Sequence, residues 1–334
     1  MMAGIEDVAR AAGVSTATVS RALRGLPNVN PATREKVVRT AHELGYVATP
    51  SAASLASGRT RTIGLISPSI NRWFSSTVIE GAETALRAQG FDVLLYTFAG
   101  APELRRPHVD PGVLRRRVDG VLVVGLPLEE PEIDALRSLG YPLVCIGWGA
   151  YGLTTVGVDD RATADEATRH LLSLGHRRIA HMTGPPEDSS PWSPPVIRLE
   201  AWRQTLADAG VTPGPVVHGD FSVARARHAA RELLALDPEV TAIFVSSDEM
   251  AMGAILGLRD MGRHVPDDVS VIGVDGHEMS EVVGLTTMAQ DAAQQGATGA
   301  RLVLDMISGV SAPAQVVFST TLIHRTSTAP PRAR

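Results

Sequence analysis

Apolar and polar positions recur along this chain with two different periods, and the change of period divides it. Ile5, Val8, Ala9 and Ala12 stand at helical spacing and predict a short amphipathic helix. Gly13 can take the positive φ of a tight turn. Ser15 is a good N-cap, because its hydroxyl accepts from the free amides of the turn that follows. In the second helix Val19 and Leu23 face back to the first, which leaves Thr16, Ala17 and Arg21 outside. Asn30-Pro31, a cap followed by a proline at the first helical position, opens a third helix that runs to Gly45. Its Val37, Val38, Ala41 and Leu44 are expected to close a three-helix core.

From Thr62 onward, apolar strand-like runs alternate with helical stretches. The runs are Thr62–Ser67, Phe91–Thr97, Gly120–Gly125, Leu143–Gly147, Ile179–Thr183, Thr241–Ser246 and Val269–Val274. Helices are expected at Ser75–Gln89, Pro131–Leu139, Ala162–Leu174, Arg198–Ala209, Ala224–Leu236 and Glu249–Met261. This alternation predicts an α/β body of doubly wound parallel sheets with helices on both faces. Between the two regions, Ser51–Ser57 is built from small residues, with Leu55 its only large apolar side chain. Such a segment buries too little to offset its own ordering, so it is expected to be a linker that folds only against a partner.

The paired helices joined by a glycine turn have the layout of a helix-turn-helix DNA reader. Short side chains at the start of the second helix let its backbone approach base edges in the major groove. Thr16, Ala17, Thr18, Ser20 and Arg21 are the expected DNA-facing residues. Charge agrees in sign. The first sixty residues hold seven basic against four acidic residues, a net +3; the whole chain carries −5, so the remainder carries −8. A basic head on an acidic body suits phosphate contact by the head alone. At 334 residues two or three folding units are expected. No run approaches the roughly 18 apolar residues of a membrane span, and no leader is recognisable. Cys145, the single cysteine, lies in the apolar run Leu143–Ile146 and is expected to be a buried thiol, consistent with a reducing cytoplasm.

Beyond these patterns, the chain resembles the lac/gal repressor family of bacterial transcription regulators. The resemblance is carried in the head by D-V-A-R-A-A-G-V-S-T-A-T-V-S-R-A-L (Asp7–Leu23) and by T-R-E-K-V (Thr33–Val37) with L-G-Y (Leu44–Tyr46). S-L-A-S-G-R-T-R-T-I-G-L-I matches the hinge and first strand. Further on, L-G-H-R-R-I-A (Leu174–Ala180), S-D-E-M-A-M-G-A (Ser247–Ala254), D-V-S-V-I-G-V-D (Asp268–Asp275) and L-T-T-M-A-Q-D (Leu285–Asp291) match the ligand-binding core. The resemblance implies a head at 1–48, a hinge at 49–60, and two subdomains that resemble periplasmic sugar-binding proteins. These are 61–160 with 290–318 and 161–289 with 319–328, followed by a tail at 329–334. It places crossovers near Asp159–Arg161, Ala289–Gln290 and Phe318–Thr320. It also implies a homodimer on a near-palindromic operator, with Leu55 wedged into the minor groove, and a small effector in the cleft between subdomains.

Open parallel sheets bind ligands beyond the carboxyl ends of their strands, so the effector residues are sought there. The resemblance assigns ligand contact to Arg198, whose guanidinium offers donors in a fixed fork, and to Asp275. Both are expected to serve the ligand without supporting the fold. Trp73 and Phe74 after the first strand, and Phe221 after Gly219-Asp220, are candidate stacking walls. Ser247 stands where relatives commonly carry Asn. Gly147 replaces a usual polar residue, often Asp, and Trp148 beside it supplies an aromatic wall instead. The segment Pro185–Pro195, with Trp192, reads as a long loop at the cleft edge, a length that favours an oligosaccharide. Gly147–Gly152 spells G-x-G-x-x-G, but a strand rather than a helix follows, so no dinucleotide is expected. Arg115-Arg116-Arg117 reads as a solvated helix end. No metal-ligand spacing, nucleophile–base pair or phosphate loop is found, and neither metal nor cofactor is expected. The expectation is therefore a cytoplasmic regulator with a sugar effector. A purine or nucleoside effector is the main alternative, ahead of an exported receptor or an α/β sugar-modifying enzyme.

Overall fold

A computed structural model describes residues 3–23, 27–46, 59–97, 110–149, 152–186 and 190–332. Residues 49–58 of the expected hinge, Leu55 among them, lie outside the described residues. The chain divides into two compact units, Met1–Arg61 with Arg116–Asp119, and Thr62–Arg115 with Gly120–Arg334.

In the first unit, α1 (Ile5–Ala12), α2 (Thr16–Leu23) and α3 (Pro31–Glu43) pack around Val8, Ala12, Val19, Ala22, Val37 and Ala41. Gly13 turns the chain at φ 67°. Ser15 Oγ accepts from Thr18 N at 3.2 Å, and Asn30 Oδ1 accepts from Ala32 N at 2.9 Å, so both predicted caps form. Two expected core residues do not close the core. Val38 is 47% exposed and Leu44 40%, because Val38 lies a third of a turn from Val37 and Leu44 sits past the last helical turn. Thr60 N and Arg61 N both donate to the Asp119 carboxylate, at 2.7 and 2.8 Å.

The second unit holds two six-stranded sheets. Its elements begin β1 (Thr62–Ser67), α4 (Trp73–Ala88), β2 (Asp92–Thr97), β3 (Gly120–Val124), α5 (Glu130–Ser138), β4 (Leu143–Ile146) and β5 (Thr154–Val158). They continue as α6 (Asp160–Ser173), β6 (Ile179–Thr183), α7 (Pro194–Asp208), β7 (Val216–His218), α8 (Val223–Leu236), β8 (Ala242–Val245) and α9 (Asp248–Asp260). The last are β9 (Ser270–Asp275), α10 (Met279–Val282), β10 (Thr286–Ala289), α11 (Ala292–Ile307), β11 (Gln315–Phe318) and β12 (Thr321–Ile323). The first sheet runs β11-β5-β4-β3-β1-β2 and is wholly parallel. The second runs β12-β10-β9-β8-β6-β7, with only β12 antiparallel to its neighbour. Pro111–Leu114 forms a 3-10 turn, so the exposed arginines after it, at 115–117, do not end an α-helix.

Strand periodicity explains why helices flank both faces. In β8, Ile243 and Val245 join α8 and α9 on one side, while Ala242 and Phe244 join α6 and α7 on the other. Trp202 is fully buried on that second side. The chain passes between the sheets three times: after Val158 into α6, after Ala289 into α11, and after Phe318 into β12. Helix α11 is covered against α4 and the first sheet through Ala292, Ala300, Leu302 and Val303. At that crossing a Cβ on Gly296 would lie 2.0 Å from Val78 O, and one on Gly81 2.1 Å from Ala293 O. The helices touch backbone to backbone there. Cys145 is buried, and burial pushes its thiol up to about 12.

Candidate functional site

The carboxyl ends of both sheets face a cleft that contains a cavity of about 330 Å³. Phe74, Trp148, Arg198, Phe221, Ser247 and Asp275 all line it, brought together from six separate stretches of sequence. Trp73 does not. It occupies the first position of α4 and reaches across to the other subdomain, where Nε1 donates to Glu278 Oε2 at 2.6 Å and its ring stacks on His277 at 5.6 Å. The stacking role expected of Trp73 is therefore corrected: its partner is the protein's own imidazole at the lip.

Arg198 is the fifth residue of α7, not its first, because the helix opens at Pro194, with Ser193 before it. Its Nε and Nη2 donate to Asp160 Oδ1 at 2.8 and 2.7 Å, and Nη1 donates to Ser246 O at 2.6 Å. The pair is buried, with side chains 7% and 12% exposed. Three donors are thus engaged within the protein, and a guanidinium has five, so donors remain for a ligand. Burial pushes the Asp160 carboxyl up, and Arg198 pulls it only part of the way back. The residue does support the fold, contrary to expectation.

Asp275 closes β9 with φ 131°, a backbone conformation that L-residues rarely adopt. Asp220 and Phe221, at φ 54° and 49°, are the other left-handed residues of the cleft that are not glycine. Gln290 Nε2 donates to Asp275 Oδ1 at 2.8 Å, and Gln295 Nε2 donates to Gln290 Oε1 at 2.8 Å. Gln295 Oε1 is left buried without a partner, an acceptor lining the cavity. Nearby, the Asp248 carboxylate accepts from Thr287 Oγ1, Ser280 Oγ, Gly276 N and His277 N, at 2.7 to 3.0 Å. A Cβ on Gly273 would strike this carboxylate at 2.1 Å, which explains the glycine in I-G-V-D. Ser247 Oγ is occupied as the N-cap of α9, accepting from Met250 N at 3.3 Å. Gly147 takes φ 81°, and a Cβ there would meet the Phe74 ring at 2.5 Å. The missing polar side chain thus makes room for an aromatic one. No helix follows this glycine run before β5, so a pyrophosphate has no helix N-terminus to sit on; residues 150 and 151 lie outside the described residues.

The buried carboxylates set a pH dependence. Burial, and then the neighbouring Asp248 charge, push Asp275 up to about 8, while burial pushes Asp248 up to about 6. A native carboxyl raised above its unfolded value holds a proton the unfolded chain has released, so its stability contribution is lost as pH rises towards 8. His181, buried between Trp202 and Phe244, is pushed down by burial to about 3 and acts with the opposite sign below about pH 6.5. Between about pH 6.5 and 8 His181 no longer opposes this fall, and among the described residues the Asp248–Asp275 carboxyl pair sets the slope. Urea unfolding is expected to show stability falling across that window and a much flatter profile in Asp275→Asn; the same slope in both proteins would clear Asp275 of the effect.

In the head, Thr16, Ala17 and Arg21 are exposed on α2, and Thr18 and Ser20 are half-buried beside them. The cleft residues missed from sequence are chiefly Asp160, Ser246, Glu249, Gln290 and Gln295. Gln290 and Gln295 flank Asp291, which caps α11 through Gln294 N at 2.8 Å. That Asp cap before a helical stretch was the available signal. Among the described residues no group of His, Cys, Asp or Glu could hold a metal ion, and no helix is long and apolar enough to cross a membrane.

Residues 4–49 match the family described as bacterial regulatory proteins, lacI family, and residues 168–328 match the periplasmic binding protein-like domain. Over 97% of each chain, the protein is 34% identical to the HTH-type transcriptional regulator CelR of Thermobifida fusca. A structure titled transcriptional regulator CelR-cellobiose complex aligns with TM-score 0.72 at 34% identity, over 97% of this chain and 99% of that one. The lac repressor dimer bound to operator and the anti-inducer ONPF aligns with TM-score 0.85 at 25% identity, over 98% and 100%. With a three-helix head that presents Arg21 and a cleft that gathers Arg198 and Asp275, the chain belongs to the lacI family of bacterial regulatory proteins: it is a DNA-binding transcriptional regulator and not an enzyme.

Proposed function

We propose that this regulator is a cytoplasmic repressor that binds a near-palindromic operator as a homodimer and answers to a sugar-type effector in its cleft. The observation that carries the effector assignment is the cavity itself. It sets Arg198, Asp275 and the unpartnered Gln295 acceptor among the aromatic rings of Phe74, Phe221 and Trp148. Sugars present that combination, with hydroxyls at their rim and apolar faces between. The cellobiose complex of the CelR regulator and the operator- and anti-inducer-bound lac repressor dimer support the proposal.

In this proposal the head spans 1–48, the hinge 49–60, and the subdomains 61–160 with 290–318 and 161–289 with 319–328. Thr16, Ala17, Thr18, Ser20 and Arg21 enter the major groove, and Leu55 wedges into the minor groove at the operator centre. The effector holds the subdomains at a different angle and so changes the spacing of the two hinges. Ser247 contributes through its position at the start of α9.

The test is fluorescence anisotropy of the full chain on an operator selected from random duplexes, with and without a panel of sugars, purines and nucleosides. At least one sugar is expected to shift half-saturation by about 5–150-fold. A shift by a purine or nucleoside instead would replace the sugar assignment. On the same operator, Arg21→Ala is expected to cost roughly 1–3 kcal/mol and to relax preference at one symmetric base pair. An unchanged order of preference across operator variants would remove Arg21 from base contact.

A further inference from the structure

The cleft does not end at its main cavity. A second cavity of about 300 Å³ adjoins it, and the two share Gly147, Trp148, Val158 and Asp160 as a common wall. Its floor is the edge of the first sheet. Thr155 pairs with Gln315 and Gly157 with Val317, and these four residues line the cavity from one face of β5 and β11. That face is uncovered. Val317 is 51% exposed, and a Cβ on Gly157 would meet nothing within 4 Å.

Two of the chain's four tryptophans border this floor, Trp148 and Trp192. Trp192 is 48% exposed and belongs to no core. It is nevertheless held in place: Gly149 N donates to Trp192 O at 3.4 Å, and a Cβ on Gly149 would come within 3.2 Å of Trp192 Cβ. An indole that is positioned but unpacked leaves a face for a ligand. Around it Thr155, Arg161 and Gln315 offer hydroxyl partners. A flat floor, an aromatic edge and a polar rim, continuous with an effector cavity, suit a ligand built of repeating units with apolar faces and hydroxyl edges.

Resting on the sugar assignment above, we infer that this groove is a second subsite, which takes the outer units of a linear oligosaccharide whose end unit occupies the cleft. Chain length then becomes a determinant of effector choice. The test is calorimetry on the full chain with glucose, cellobiose, cellotriose and cellotetraose, and in parallel with maltose, maltotriose and maltotetraose. In the series that binds, affinity is expected to rise about tenfold from the shortest binding member to the longest. Trp192→Ala is expected to lose that gain while leaving the shortest binding member within about twofold. Gly157→Leu, whose Cβ would meet nothing within 4 Å and whose side chain stands on the floor, is expected to do the same. Equal affinity at all lengths, a gain that survives both substitutions, or variants that weaken every length equally would each overturn the second subsite and leave the sugar effector standing. Binding by no member of either series would overturn the second subsite as a site for linear glucose chains, while the anisotropy panel above decides the sugar assignment separately.

Discussion

Arg198→Ala is expected to lower the stability of the second unit by about 3–5 kcal/mol and to abolish the effector response as well. The cost follows from what is left behind. Asp160 is 12% exposed in its side chain and has Arg198 as its ion-pair partner, so the substitution strands a carboxylate in a desolvated position. Burial already pushes that carboxyl up, and without the guanidinium it rises further. A raised native carboxyl loses its contribution as pH rises, so the deficit is expected to be larger at pH 8 than at pH 5. Arg198→Met combined with Asp160→Leu removes the charges together, and such exchanges of a buried pair are often neutral. The double variant is therefore expected to recover most of the stability and none of the response. Urea denaturation at both pH values decides it, and a loss of less than about 1 kcal/mol in Arg198→Ala, the range of an exposed pair, would show that the pair is screened by water.

Gly296→Val is expected to cost at least the upper end of the roughly 1–3 kcal/mol typical of overpacking. Even Gly296→Ala and Gly81→Ala are expected to destabilise, although Gly to Ala inside a helix ordinarily stabilises by about 1 kcal/mol. The sign reverses because each new Cβ would lie near 2 Å from a carbonyl oxygen of the facing helix, 2.0 Å at Gly296 and 2.1 Å at Gly81. Neither α4 nor α11 can yield without uncovering Val78, Ala82 and Val303. Gly157→Ala, in open space, is the control and is expected to be nearly neutral. If Gly296→Ala raised the denaturation midpoint, the close crossing would be wrong.

Elements with a strong apolar period were legible in the sequence, and those whose logic lies across space were not. Thr62–Ser67 and Ile179–Thr183 coincide with β1 and β6 to the residue, since a strand buried on both faces reads as an uninterrupted apolar run. Helix α11 escaped notice because Gly296 and Gly299 interrupt it. Those glycines look like breakers along the chain but are demanded by the close packing. The short strands β7, β11 and β12 have three or four residues each, too few to show a period. At the site, residue types at strand ends pointed to Arg198 and Asp275. They did not reveal that two of Arg198's five donors are taken by Asp160, 38 residues away, or that Trp73 bonds Glu278, 205 residues away. Periodicity carries no information about pairings at such separations.

The three passages between the sheets impose an order on synthesis. The head has its full core once Tyr46 has been made, since Val8, Val19, Val37 and Ala41 all precede it. The first sheet, in contrast, waits for α11 and β11 and is incomplete until Phe318. At roughly 5–20 residues per second, the interval between the two is on the order of ten seconds to a minute. Within it, from the completion of α4 at Ala88 to that of α11 at Ile307, the face of α4 carrying Val78 and Ala82 has no helix against it and is a surface for a chaperone or for misassembly with a neighbouring nascent chain. A ribosome partway through this message therefore carries a finished reader of DNA ahead of an unfinished receiver of the signal that governs it.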